Sequence, residues 1–184
     1  PMCHKDFLPI IEGIYKRGMF VEELNTNGFY INQAMLDRMK EIGCNPLVKI
    51  SFDGLGHHDW LRNRKGAEED ALRAIKLCVE NGFRVKAQTN VHRRNIESML
   101  ATARLLDEMG VQEMRIIRTT EAPRWNENGK GATLDIDEYF DKMLDFAREY
   151  ISEEHKMTID IWQFMTIFPK SKSYGLRAVA CCEG

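Results

Sequence analysis

The residues that could do chemistry in this sequence stand where predicted strands end. Four such segments are rich in amide, hydroxyl, carboxylate or guanidinium groups: NTNG at 25–28, SFDG at 51–54, TNVH at 89–92 and RIIRTT at 115–120. Ligands of parallel α/β proteins bind at the carboxyl ends of the strands, so we expect these groups to share one site. They suit sugar hydroxyls, amino groups and carboxylates, and Arg62 offers a guanidinium fork for a carboxylate. For the NG or DG pair alone, plain turn chemistry is the better interpretation.

Other kinds of reaction chemistry have weaker support in the sequence. His57 and His58 have no third ligand at a telling spacing, so we interpret them as polar loop residues rather than metal ligands. The sequence contains no HExxH, Walker, GxGxxG or GxSxG motif. We also find no serine or cysteine nucleophile with an obvious base, so the sequence indicates no hydrolytic triad.

The bulk composition is that of an ordinary globular protein. The 184 residues carry a net charge of -2, with 43% hydrophobic and 29% charged residues. This near-neutral balance argues against a nucleic-acid or membrane surface, and no apolar run approaches the roughly 20 residues that cross a bilayer. Five cysteines in a chain without a signal peptide argue against a disulfide framework, and we expect a cytoplasmic protein.

Helical and strand patterns alternate five times along the chain. Helical periodicity covers residues 6–16, 32–41, 67–80, 95–109 and 137–152, and strand patterns cover residues 20–25, 46–52, 83–91, 112–118 and 157–164. Asn95 is predicted to cap the fourth of these helices. Such alternation predicts a parallel sheet with right-handed crossovers.

Each of the first four predicted strands has one apolar face and one polar face. In the second, Val48 and Ile50 alternate with Lys49 and Ser51. A strand covered on both faces would be apolar throughout, so the pattern favours an α/β barrel, or most of one, with the helices outside. The alternative is an open sheet with one solvated face. Inside a barrel, the charged side chains must pair; the candidates are Glu23, Lys49, Lys86 and either Glu113 or Arg115.

Three long segments, residues 1–29, 48–99 and 105–116, resemble the barrel of radical SAM enzymes that carry a C-terminal SPASM or twitch extension. The resemblance is carried by TNG, S-x-D-G-x(4)-D-x-L-R, the TNV strand and the terminal C-x-x-G, in that order. It implies a partial (β/α)6 TIM-like barrel over residues 1–165, then a linker and the start of the extension over residues 166–184. It also implies that the family's CxxxCxxC lies before Pro1, so that this chain is a piece of a longer enzyme.

The resemblance implies a role in binding S-adenosylmethionine for eight residues, and it identifies no catalytic residue. These are Ser51 and Asp53 at the ribose or amino-acid end, Arg62 at the carboxylate, Asn25 and Asn27 near the methionine end, Gln88 and Asn90 facing ribose or substrate, and Ile117 against adenine. Cys181 matches the first cysteine of the extension, which implies a ligand of an auxiliary iron-sulfur cluster, although the neighbouring Cys182 departs from the family pattern.

The chemistry implied by the resemblance is that of an iron-sulfur oxidoreductase. A [4Fe-4S] cluster, whose ligands lie outside this chain, cleaves S-adenosylmethionine to a 5'-deoxyadenosyl radical that modifies a peptide, a protein or a small molecule. The implied partners are that substrate and an electron donor such as flavodoxin or ferredoxin, with no nucleic acid and no membrane. Without the cluster ligands, this chain alone is expected to be inactive.

Two other functions remain open from the residues themselves. One is a TIM-barrel lyase or aldolase that forms a Schiff base on Lys49 or Lys86. The other is a non-enzymatic α/β module that binds a peptide at an open sheet edge.

Overall fold

The computed structural model describes residues 1–120, 129 and 131–171, together with the backbone of 176–178. These residues form helices and strands in alternation, with a short 3-10 turn at Ile96–Ser98. In chain order the elements are α1 (Phe7–Tyr15), β1 (Glu23–Thr26), α2 (Gln33–Ile42), β2 (Leu47–Ser51), α3 (His58–Arg62), α4 (Ala67–Glu80), β3 (Val85–Val91), α5 (Met99–Glu108), β4 (Glu113–Arg118), α6 (Ile136–Ser152), β5 (Thr158–Ile161), β6 (Met165–Ile167) and β7 (Leu176–Ala178).

The strands form one sheet in the order β1-β2-β3-β4-β5-β6-β7. Strands β1 to β5 are parallel, and β6 and β7 are antiparallel to their neighbours. Each parallel connection moves the chain one strand in the same direction, so right-handed crossovers place the helices on one face. A doubly wound sheet needs a strand order that reverses. The architecture is therefore the predicted partial TIM-like barrel with helices on its outer face.

Local sequence signals account for the ends of two helices. Helix α2 begins after Asn32, whose Oδ1 accepts a hydrogen bond from the backbone N–H of Met35 at 3.0 Å, and it ends at Gly43 with φ 80°. The start of α4 is capped from outside that helix. Asp59 of α3 accepts the backbone N–H groups of Gly66 and Glu68, both at 2.7 Å. This contact fixes α3 against α4, close to the end of β2.

The apolar faces of the strands pack under the helices as their periodicity predicts. Val48 and Ile50 are at most 1% exposed, and Ala74 and Ile75 of α4 are fully buried within the same core. A core of this kind needs no polar group on its strands, so the charged residues lie on the opposite, concave face.

Three ion pairs lie on the concave face, and they confirm the predicted layer of paired charges. Glu113 and Arg115, which were alternatives in the prediction, both belong to this layer, because each has a partner of opposite charge on a neighbouring strand. The pairs are Lys49 Nζ with Glu23 Oε1 at 2.6 Å, Lys86 with Glu113, and Arg115 Nε with Asp160 Oδ2 at 2.6 Å. Pairing removes most of the cost of placing charges in a confined interior.

Three expectations about the elements are wrong. The strand predicted over residues 157–164 ends at Ile161, and a turn containing Gln163 at φ 60° leads into the unpredicted antiparallel strand β6, followed by β7. The short helix α3 is also absent from the sequence-based prediction. Asn95 precedes the 3-10 turn but makes no side-chain cap, because its amide is engaged elsewhere, as described below.

The predicted domain boundary at residue 165 stays a prediction, although β6 and β7 continue the same sheet.

None of the helices in the described part of the chain is both long and apolar enough to cross a membrane.

Candidate functional site

The carboxyl ends of β2, β3 and β4 bring several predicted site residues side by side. Ser51 is in register with Gln88, and Asn90 is in register with Ile117. All four side chains are half-buried, which leaves part of each accessible from the concave face. The parallel register therefore forms a row of hydroxyl, amide and apolar groups, as the site hypothesis requires.

The side chain of Asp53 is the centre of a hydrogen-bond network behind this row. It is completely buried. Oδ1 accepts from the backbone N–H of Asn90 at 2.9 Å and from its side-chain amide at 3.1 Å. Oδ2 lies 2.9 Å from Nδ1 of His58 and 2.7 Å from Nη2 of Arg62. Asp53 thus ties the end of β2 both to the end of β3 and to helix α3.

The Asp53 carboxyl is held in its charged form. Burial alone would raise its pKa, but the hydrogen bond from His58, the charge of Arg62 and the backbone hydrogen bond from Asn90 together lower the pKa below its usual value. A direct contact of Asp53 with S-adenosylmethionine, which the family resemblance implies, remains a prediction. The bonds of both carboxylate oxygens to protein groups are observed.

Arg62, like Asn90, is a half-buried member of this network. Its side chain is 32% exposed, while its Nε and Nη2 atoms are buried. Nε has no hydrogen-bond partner among the described residues. A buried donor of this kind is costly unless an acceptor reaches it. Arg62 therefore suits an anionic or polar ligand, and the predicted carboxylate contact fits this donor.

Asn95 and His92 complete the network. Neither is among the eight residues predicted to bind the cofactor, although His92 belongs to the TNVH segment expected at the site. The Asn95 amide donates to the backbone carbonyls of Asp53 at 2.7 Å and Asn90 at 2.9 Å, and its oxygen accepts the His92 N–H at 2.8 Å. These bonds explain why Asn95 does not cap a helix. The only sequence signal for them is the crowding of polar residues after β2 and β3, which says nothing about partners.

The imidazole of His92 is buried and neutral near neutral pH. Burial lowers its pKa to about 4, the nearby Asp53 partly opposes this, and His57 and Arg94 add to it. The unfolded chain takes up this proton near pH 6.5, well before the folded chain does. Stability should therefore fall as the pH drops from about 6.5 to about 4, by about 3 kcal/mol from this group.

This pH dependence is measurable by urea unfolding at a series of pH values. His92→Asn keeps an acceptor near the position of Nδ1, which accepts the Arg94 N–H at 3.2 Å, but it cannot be protonated. The difference in unfolding free energy between wild type and variant should shift in favour of the variant between pH 7 and pH 4. If the unfolding free energies of wild type and variant changed in parallel between pH 7 and pH 4, His92 would not titrate as stated.

The two asparagines of the first strand end differ from the rest of the predicted site. Asn25 is exposed and lies in register with Lys49, which precedes Ser51 by two residues on β2. Asn27 is exposed, and its Oδ1 accepts the Phe29 N–H at 3.2 Å, which is turn chemistry. At Gly28, with φ 82°, an added Cβ would lie 2.8 Å from Cβ of Ala74. The NG pair therefore has a structural reason, and the ligand contacts of Asn25 and Asn27 stay predictions.

The described residues contain no group of three or more His, Cys, Asp or Glu side chains placed to hold a metal ion. The sequence has no CxxxCxxC either. Cys181, predicted as a ligand of the auxiliary cluster, lies outside the described residues, as does its neighbour Cys182. The described residues therefore do not provide the ligands of an iron-sulfur cluster. The polar groups at the ends of β2, β3 and β4 instead suit a polar nucleoside or amino-acid ligand.

A singly wound sheet with paired charges inside and polar groups at its carboxyl ends defines a barrel-type α/β protein. The radical SAM superfamily model matches residues 1–106. The chain belongs to this superfamily.

Curated relatives match this chain over part of their own length. Fe-coproporphyrin III synthase of Methanosarcina barkeri is 31% identical over 109 residues, which cover 59% of this chain and 27% of that protein. PqqA peptide cyclase of Granulibacter bethesdensis is 25% identical over 118 residues, which cover 63% of this chain and 31% of that protein. The chain thus spans about a third or less of the length of these relatives.

The solved structures agree on the fold. SuiB of Streptococcus suis, crystallised with S-adenosylmethionine, superposes with a TM-score of 0.66 over 87% of this chain and 35% of that chain, at 12% identity. At that identity the likeness supports the architecture alone.

Proposed function

We propose that this chain forms the S-adenosylmethionine-binding part of a radical SAM oxidoreductase. The observation that carries the proposal is the Asp53 network, which holds Arg62 and Asn90 beside the aligned Ser51 and Gln88 at the carboxyl edge of the sheet. Membership of the superfamily supports S-adenosylmethionine as the ligand of this edge. When bound and given one electron by a reduced cluster, S-adenosylmethionine would supply a carbon radical that removes a hydrogen atom from the substrate.

The residues of this chain bind and orient the cofactor in the proposal. Arg62 pairs with its carboxylate, because a guanidinium with a buried, unused donor is suited to an anionic acceptor. Ser51, Gln88 and Asn90 offer hydroxyl and amide groups to the ribose or the substrate, and Ile117 gives an apolar surface for adenine. Asn25 and Asn27 lie at the first strand end, toward the methionine end.

The cluster ligands come from outside the described residues in this proposal. A [4Fe-4S] cluster needs thiolate ligands, and the sequence lacks their spacing. A further cluster on Cys181 and an electron donor of the flavodoxin or ferredoxin kind belong to the same proposal. The substrate is a peptide, a protein or a small molecule, since relatives are named for a peptide cyclisation and for an iron-coproporphyrin synthesis.

One observation counts against the Schiff-base alternative. Lys49 and Lys86, its candidate nucleophiles, both pair with carboxylates on neighbouring strands. A lysine amine that is engaged in an ion pair is not free to attack a carbonyl carbon.

The proposal predicts that this chain binds S-adenosylmethionine at the strand ends but does not cleave it. Titration followed by amide NMR should shift the signals of Ser51, Gln88 and Asn90. Arg62→Ala should weaken binding at least about tenfold, the size of a lost charged hydrogen bond. The control Arg148→Ala, at an exposed pair with Asp145 on α6, should leave binding unchanged.

Two results would contradict the proposal. One is the absence of shifts at the strand ends at saturating S-adenosylmethionine. The other is formation of 5'-deoxyadenosine by this chain after incubation with iron, sulfide and a strong reductant, because the chain would then hold its own catalytic cluster.

A further inference from the structure

Two of the residues that meet at the Asp53 carboxylate, Asp53 itself and His58, are too deeply buried to reach a ligand. Asp53 is 0% and His58 is 1% exposed, whereas Arg62 is 32% exposed and Asn90 is half-buried. Around this carboxylate, Asp53 and His58 therefore form an inner pair, and Arg62 and Asn90 form an outer pair. The inner pair acts on the site only through the outer one.

The rotation of the Asp53 carboxylate decides where the outer pair sits. The terminal torsion of an aspartate is broad, so its two oxygens have no strong intrinsic orientation. Here Oδ1 faces Asn90 on β3, while Oδ2 faces both His58 and Arg62 on α3. A donor on each side of the group fixes its rotation, and with it the direction of the Arg62 ion pair.

His58 has to carry a hydrogen on Nδ1 to take part in this. Nδ1 lies 2.9 Å from Oδ2 of Asp53 and 3.0 Å from the backbone nitrogen of Asp53. The two contacts exclude each other as hydrogen bonds, because a protonated Nδ1 donates and a bare Nδ1 accepts. The Asp53 carboxylate is ionised and presents a lone pair, so the protonated Nδ1 is the form that it stabilises.

The geometry points to His58 as a positioning residue of the cofactor site. We propose that its Nδ1–H, through Oδ2 of Asp53, holds the Arg62 guanidinium and the Asn90 amide in the orientation that S-adenosylmethionine requires. The inference rests on the proposed function for the identity of the ligand.

A matched pair of variants isolates the hydrogen bond from the bulk of the side chain. His58→Asn places an amide nitrogen near the position of Nδ1 and keeps the donor. His58→Gln extends the amide by one carbon and removes the donor from that position. Both replacements are neutral and polar, so a difference between them reports the hydrogen bond and not the loss of an imidazole.

The first readout needs no ligand. In 15N-labelled protein, the Nε–H signal of Arg62 and the side-chain amide of Asn90 should be sharp and well dispersed in the wild type and in His58→Asn. In His58→Gln they should broaden or move toward the values of free side chains. Equal spectra for the two variants would overturn the inference.

The second readout is the dissociation constant for S-adenosylmethionine. His58→Gln should weaken binding about tenfold, the effect typical of losing the outer partner of a ligand-binding group, and His58→Asn should stay close to the wild type. Equal affinities for the two variants would also overturn the inference. If the wild type itself does not bind, the proposed function fails, while the Arg62 and Asn90 signals still decide the role of His58.

A measurement on the wild type covers the case in which His58→Gln does not fold. The 15N shifts of the His58 ring distinguish a hydrogen on Nδ1 from one on Nε2 alone. A hydrogen on Nδ1 at pH 7 supports the inference. The tautomer with its hydrogen on Nε2 alone overturns it, because Nδ1 could then not donate to Asp53.

Discussion

Replacing Asp53 with Ala is expected to lower the free energy of unfolding by about 4 kcal/mol, the loss typical when one partner of a buried ion pair is removed. The variant leaves the Nδ1–H of His58, the Nη2 of Arg62 and the amide of Asn90 without their shared acceptor. Each buried donor then keeps its desolvation cost with no hydrogen bond in return. The ends of β2 and β3 should also separate, and S-adenosylmethionine binding should be lost with them.

Urea unfolding followed by circular dichroism measures this loss. The control is Asp145→Ala, which removes an exposed carboxylate that pairs with Arg148 at 3.0 Å, and it should change stability by less than about 0.5 kcal/mol. If Asp53→Ala were within about 1 kcal/mol of the wild type, the network would not hold the strand ends together.

The Asp53 effect also has a defined dependence on pH. Its pKa is lower in the folded protein than in the unfolded chain, whose ordinary value is 3.8. The stabilisation is therefore fully present above that value and is lost as the pH falls through the folded pKa. The difference in unfolding free energy between wild type and Asp53→Ala should stay constant at neutral pH and become smaller in acid. This decrease should occur at lower pH than most of the change caused by His92.

Glu113→Gln is expected to lower the free energy of unfolding by about 2 kcal/mol, which is below the full value for a buried pair because Glu113 is 29% exposed. The variant leaves the Lys86 ammonium unpaired, although only 6% of that side chain is exposed. Lys86→Met should cost less, because the carboxylate that it leaves behind can still reach water. The double variant should have about the same free energy of unfolding as Lys86→Met alone. Once the Lys86 ammonium is gone, removing the Glu113 carboxylate leaves no charge without a partner.

Chemical unfolding of the single variants and the double variant forms a double-mutant cycle for this pair. The control is Glu80→Gln, whose partner Lys76 lies 3.8 Å away at an exposed position on α4. We expect the control to change stability by less than about 0.5 kcal/mol. If Glu113→Gln behaved like this control, the charged layer would be solvated, and the concave face would not be a confined interior.

The succession of elements is predictable from the sequence for the parallel strands. The period-two alternation in β2 and β3 separates an apolar face from a polar face, and this pattern alone assigns Lys49 and Lys86 to the concave side. The two antiparallel strands are not predictable in the same way. Each of β6 and β7 has three residues, which is too short for alternation to show.

The candidate site is predictable as a place but not as a set of contacts. A strand fixes the direction of each side chain, so the pairing of Ser51 with Gln88 follows from the register of β2 and β3. Asp53 follows the last residue of β2 by two positions, where the strand no longer dictates direction, and its carboxylate turns into the protein. Asn95, interpreted as a helix cap, bonds instead to the carbonyl of Asp53, which lies 42 positions earlier.

The sequence by itself determined the alternation of helix and strand, the two-sided character of the strands and the family to which the chain belongs, because these depend on local periodicity and ordered motifs. Only the tertiary structure decided which of the polar residues beyond the strand ends are accessible at the site and which support them from behind. The partners of Asp53 come from α3 and from the end of β3, and they meet only when the strands align in parallel. Long-range hydrogen bonds of this kind leave no periodic trace in a sequence, so His58 has the sequence signature of an ordinary loop histidine, and only the fold brings it to Asp53.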